Sequence, residues 1–234
     1  MKICLIGNSH IAAIKLGWLN VAGEFPDVQL TFFAARFVEM AGLMAQGDRL
    51  VADTASLAAQ ISFISGGLEE IIPKDYDMIV LCGLGLFVPR LPAGTSAALR
   101  RQASIDYVNS SLIPVTLQKL HSVTDKTIWV APSPMSAVAV ADEQIRSAMV
   151  PYFALINDVQ IALDDPRCKV IGQPSRTLTR NLASRSVYTD GSVKLPIPNV
   201  NPAALKHPPS ELKHMNGAFG AIWLKLNLPK LIAA

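Results

Sequence analysis

Five short runs of almost unbroken apolar residues recur along the chain, at Lys2 to Ile6, Val28 to Phe33, Met78 to Cys82, Thr127 to Ala131 and Lys169 to Ile171. Strands that are apolar on both faces have no side to give to water, so they belong in a sheet covered on both faces. Between them lie longer stretches of helical periodicity, from about His10 to Val21, Ser96 to His121, Asp142 to Leu163 and Asn216 to Leu226. Strand and helix in alternation predict an α/β domain with a parallel sheet. The 234 residues, half of them hydrophobic, suffice for one core, and a single domain over 1–234 is expected. Two stretches break the rhythm. Residues 36–67 read as an excursion carrying short helices or a small hairpin, and 194–209, with five prolines, reads as an irregular loop.

Composition removes several function classes. The net charge is only +3 and no Lys/Arg block occurs, so no nucleic-acid partner is expected. Cys4, Cys82 and Cys168 are far apart in apolar runs, which predicts reduced core thiols in a reducing compartment. No apolar stretch reaches the roughly 18 residues of a membrane span, and the N-terminal apolar run stops at Gly7-Asn8 without a signal-peptide pattern. A soluble, cytoplasmic protein is the expectation. Nothing in the pattern specifies an oligomeric state.

Chemistry concentrates at the two ends. "IGNSHIAA" places Ser9 where the first strand passes into a helix, on the carboxyl edge of the sheet where open α/β folds bind ligands. Helix-start N–H groups there can hold a developing oxyanion. A serine needs a base near neutral pH, and "ELKHMNGAFG" offers His214 with Glu211 three residues before it. Of the other histidines, His121 reads as a helix end, His207 as part of the proline loop, and His10 as a local packing or capping residue. No G-x-S-x-G elbow, P-loop, G-x-G-x-x-G or metalloprotease spacing is present.

These two blocks, in this order and at these ends, resemble the first and last blocks of the SGNH (GDSL-like) hydrolases. The resemblance implies a flavodoxin-like three-layer α/β/α sandwich with a five-stranded parallel sheet, in agreement with the strand count. It implies Ser9 as nucleophile and oxyanion donor, His214 as base and Glu211 as the acid, with Asp190 in "YTDGS" as an alternative acid. Gly42 and Gly85 would stand at the family's second and third oxyanion positions. Three departures are visible: Asn8 replaces the usual Asp, Glu211 is a methylene longer than Asp, and Gly85 replaces an Asn donor. The expected activity is that of a serine-dependent esterase, acting on a small or carbohydrate-linked ester without cofactor or metal. An O-acyltransferase on a sugar hydroxyl and an inactive binding protein are the alternatives. Arg36, Arg90 and Arg176 are candidate contacts for an anionic substrate, and the Phe87 to Leu91, Pro132 to Met135 and Lys194 to Pro209 loops are candidate pocket walls.

Overall fold

A computed structural model describes residues 1–139, 148–196, 198 and 205–233. Five strands form one sheet: β1 (Lys2–Gly7), β2 (Gln29–Ala34), β5 (Met78–Cys82), β6 (Ile128–Ala131) and β7 (Cys168–Val170), with β3 (Leu43–Gln46) and β4 (Arg49–Ala52) forming a separate hairpin. The sheet order is β2-β1-β5-β6-β7 and every pairing is parallel. Taken in chain order this is 2-1-3-4-5, the flavodoxin-like arrangement.

The strands alternate their side chains between two apolar layers. Cys4 and Ile6 of β1, with Ile79 and Leu81 of β5, pack among α3 (Ala55–Ser65), α4 (Ala97–Asn109), α5 (Ile113–His121) and α6 (Tyr152–Leu163). Ile3 and Leu5, with Met78, Val80 and Cys82, pack against α1 (Ile11–Val21) and α7 (Gly217–Ile232). Burial on both faces is why these strands read as continuous apolar runs rather than alternating ones. The result is a three-layer α/β/α sandwich.

Element boundaries differ from expectation where proline intervenes. The single helix expected over Ser96 to His121 is two, α4 and α5, broken at 110–112. Pro114 stands in the first turn of α5, where its missing N–H costs nothing but where it cannot extend the ladder of α4. Ser111 fills the gap: its hydroxyl donates to the Val108 carbonyl at 2.7 Å and accepts from the Ile113 N–H at 3.2 Å. Helix α6 starts at Tyr152, after Pro151. The expected start at Asp142, and much of the proline-rich 194–209 loop, lie outside the described residues. Helix α7 runs to Ile232, beyond the expected Leu226. The 36–67 excursion holds a short helix α2 (Phe37–Met40), the β3–β4 hairpin and α3. All three cysteines are free and buried. No helix among the described residues is long and apolar enough to cross a membrane.

One contact in this frame controls the site. Helices α1 and α7 cross through Gly17 and Gly220: a Cβ on Gly220 would lie 1.9 Å from the Ala13 carbonyl oxygen, and one on Gly17 2.2 Å from the Ala221 nitrogen. Only backbone without side chains fits there. Ser9 lies in the turn just before α1 and His214 in the turn just before α7, so the crossing brings the chain's two ends together.

Candidate active site

Ser9 sits in the turn between β1 and α1. The carbonyls of Asn8 and Ser9 already accept from the Ile11 and Ala12 N–H groups, and the Asn8 side chain accepts from the His10 N–H at 3.3 Å. The Ser9 N–H has no partner among the described residues. No acidic residue occupies the first turn of α1, so the positive end of the helix dipole is uncompensated beside the hydroxyl.

His214 is delivered by a tightly pinned turn. The Asn216 side chain caps α7, accepting from Phe219 N–H at 3.1 Å, while its Nδ2 donates to the carbonyls of Val187 (2.9 Å) and Asp190 (2.8 Å). The Ala137 N–H donates to the Leu212 carbonyl at 2.7 Å, tying the same turn to the loop after β6. So held, His214 Nε2 lies 3.0 Å from Ser9 Oγ, across 205 residues of chain. That is the hydrogen-bond distance that a serine nucleophile and a histidine base would need.

Glu211 is less closely engaged. Glu211 Oε1 is 3.5 Å from His214 Nδ1, an ion-pair contact too long for a well-formed hydrogen bond, and Nδ1 is buried without a hydrogen-bond partner. The same Oε1 accepts from the Lys213 N–H at 2.7 Å. Burial alone would raise the Glu211 carboxyl, but the Lys213 N–H and the neighbouring His214 and His207 outweigh it and hold the group below its usual range. Asp190 is exposed and forms no ion pair with His214; its carbonyl, not its carboxylate, serves the site through Asn216.

Of the expected oxyanion positions, Gly42 is corrected. Its N–H donates to the Glu39 carbonyl and its carbonyl accepts from the Asp53 N–H, both at 2.9 Å, with the Asp53 carboxylate packed over its Cα. Both backbone groups are consumed in the hinge of the hairpin. Gly85 fares better. Gly83, Leu84 and Gly85 have φ of 74°, 50° and 76°, three consecutive left-handed residues at the carboxyl end of β5. Leu84 in this region is strained, a state that persists only where surroundings enforce it and that clusters at functional sites. Gly83 abuts the Asn8 side chain and His10, which sets this turn next to Ser9. The N–H groups of Leu84 and Gly85 have no partner among the described residues. Arg36, Arg90 and Arg176 are exposed.

Two histidines that had local readings converge on His214. His207 stacks on His214 with ring centroids 4.2 Å apart and planes at 12°, and His10 lies on it at 5.3 Å and 27°. His207 is set by a short bridge between Val193 and Lys206, its N–H donating to the Ser192 carbonyl. The His10 contact joins residues 204 apart in the chain, and the His207 contact depends on how the loop before α7 folds back, so spacing alone reveals neither. His121, by contrast, is spoken for: its Nε2 meets Asp165 Oδ2 at 2.7 Å, fastening the end of α5 to the turn before β7.

His10 has an energetic consequence. Burial, and then the proximity of His214 and His207, push its imidazole from 6.5 down to about 3, with Glu211 opposing. Its Nδ1 is sealed from water and unpaired, although the residue as a whole is only partly buried. An unfolded chain takes up this proton near pH 6.5 and the folded one does not, so His10 costs no stability above that pH. It costs progressively more as pH falls toward 3. Between pH 7 and 4.5 the penalty grows by about 2.5 kcal/mol. Denaturant unfolding at the two pH values should show the His10→Gln variant losing less stability than wild type by about that amount; parallel losses would contradict it.

No family model matches this chain, and no curated protein sequence does either.

Proposed function

We propose that the protein is a serine-dependent ester hydrolase of SGNH type. The reading is carried by the 3.0 Å contact between Ser9 Oγ and His214 Nε2. In it, His214 takes the Ser9 proton as Oγ attacks the acyl carbonyl. The tetrahedral oxyanion collects hydrogen bonds from the free N–H groups of Ser9 and the 83–85 turn, beside the dipole of α1. As the oxyanion collapses, His214 returns the proton to the leaving alkoxide. Water, deprotonated by the same imidazole, then releases the acid. Glu211 favours the imidazolium electrostatically. The substrate class is a small or carbohydrate-linked acyl ester, and three free thiols accord with a reducing, cytoplasmic setting.

Release of acetate from an acetylated sugar, followed with and without a second sugar as acceptor, tests the reading. Free acetate lost on Ser9→Ala supports hydrolysis; acyl transfer to the acceptor in place of hydrolysis makes the enzyme a transferase. Absence of both activities overturns the proposal.

The loose acid makes a quantitative prediction. A buried acid hydrogen-bonded to its histidine contributes about 10⁴ in rate when lost by amide replacement. Glu211, 3.5 Å away and shared with Lys213, should contribute far less, about 10². Steady-state kinetics of Glu211→Gln check this, and a loss as large as that of Ser9→Ala would contradict it.

A further inference from the structure

We infer that His207, Glu211 and His214 form a binding site for a divalent transition metal such as Zn²⁺, and that the ion competes with the catalytic use of His214. One ligand atom from each residue lies within 4.8 Å of the others. The independent sign is two orphaned ring nitrogens: His207 Nε2 and His214 Nδ1 are both buried without a hydrogen-bond partner. Buried polar atoms seldom go unpaired, and each that does needs an explanation. Two imidazoles and a carboxylate, with a fourth position left for water, are a zinc donor set. Lys213 engages Oε1 of Glu211, which leaves Oε2 to ligate.

Binding rearranges the site. Zinc–ligand bonds of about 2.0–2.1 Å set tetrahedral ligand atoms roughly 3.4 Å apart, so donors spread over up to 4.8 Å must draw together. A metal must also lie in the plane of each imidazole it binds, whereas His207 and His214 stack face to face at 4.2 Å. His207 therefore turns out of the stack when the ion enters.

The second half of the inference rests on the hydrolase reading. As base, neutral His214 carries its proton on Nδ1 and presents the Nε2 lone pair to Ser9. A metal on Nδ1 requires the other tautomer, with the proton on Nε2 and no net proton released. Nε2 then donates to Ser9 Oγ instead of accepting from it, and the serine keeps its proton. The bound form is catalytically silent.

The experiment uses tag-free, metal-stripped protein, titrated with Co²⁺ for its tetrahedral d–d absorption and with Zn²⁺ by calorimetry. The expected result is one ion per chain, with His207→Gln and Glu211→Gln each weakening binding at least about tenfold and Ser9→Ala binding as wild type does. Ester turnover by wild type should fall with Zn²⁺ occupancy and return with a chelator. Absence of stoichiometric binding, or binding indifferent to His207→Gln, overturns the site. Binding with unimpaired turnover overturns the competition alone. If the protein has no esterase activity, the titrations still decide the site, so the two readings fail separately.

Discussion

Replacing Ser9 by alanine should lower ester turnover by about 10⁴–10⁶, replacing His214 by alanine should do the same, and the double variant should be no slower than either. The non-additivity is the informative part. A hydroxyl 3.0 Å from an imidazole acts as a unit: without the base the serine is a poor nucleophile, and without the serine the base has no proton to take. What remains is the contribution of the oxyanion donors and substrate binding, which neither substitution touches. Steady-state kinetics on an activated acetate ester give the three rates. Losses that multiply in the double variant would mean the two side chains act separately.

The largest effect on stability is expected at the crossing of α1 and α7. In an open helix, Gly220→Ala would stabilise by about 1 kcal/mol through propensity. Here the new methyl would fall 1.9 Å from a carbonyl oxygen, so overpacking, at about 1–3 kcal/mol, decides the sign. Valine, with two further methyl groups, should cost about 4 kcal/mol or more. Gly23, just after α1, has nothing within 4 Å of its Cβ position and serves as control; Gly23→Ala should be neutral or better. Denaturant midpoints check the series, and a stabilising Gly220→Ala would refute the close crossing. The site should respond as well: any separation of α1 from α7 moves Ser9 away from His214, so folded Gly220→Ala protein should lose turnover beyond its loss of stability.

The sheet could be read from the sequence because burial on both faces leaves a one-dimensional trace. Met78 to Cys82 is an unbroken apolar run because its residues alternate between two cores. The meeting of Ser9 and His214 could be expected from the sequence because each stands near a strand or helix boundary with short-range companions, Asn8 before Ser9 and Asn216 after His214. What was hidden depends on contacts across the fold. The place of His10 exists only once the chain's ends meet, and that of His207 only once the loop before α7 folds back over His214. Gly42 has the composition of an oxyanion position, but its N–H is taken by Glu39, a matter of hinge geometry that spacing does not encode. The split of α4 from α5 was within reach, since Pro114 marks it directly.

The central claim is that Ser9 is a nucleophile made reactive by His214. A fluorophosphonate probe, followed by intact mass and peptide mapping, tests it in one measurement. The account predicts a single adduct on Ser9, absent from Ser9→Ala and formed far more slowly by His214→Ala. An adduct on another residue, or labelling of Ser9 at the same rate without His214, would contradict it.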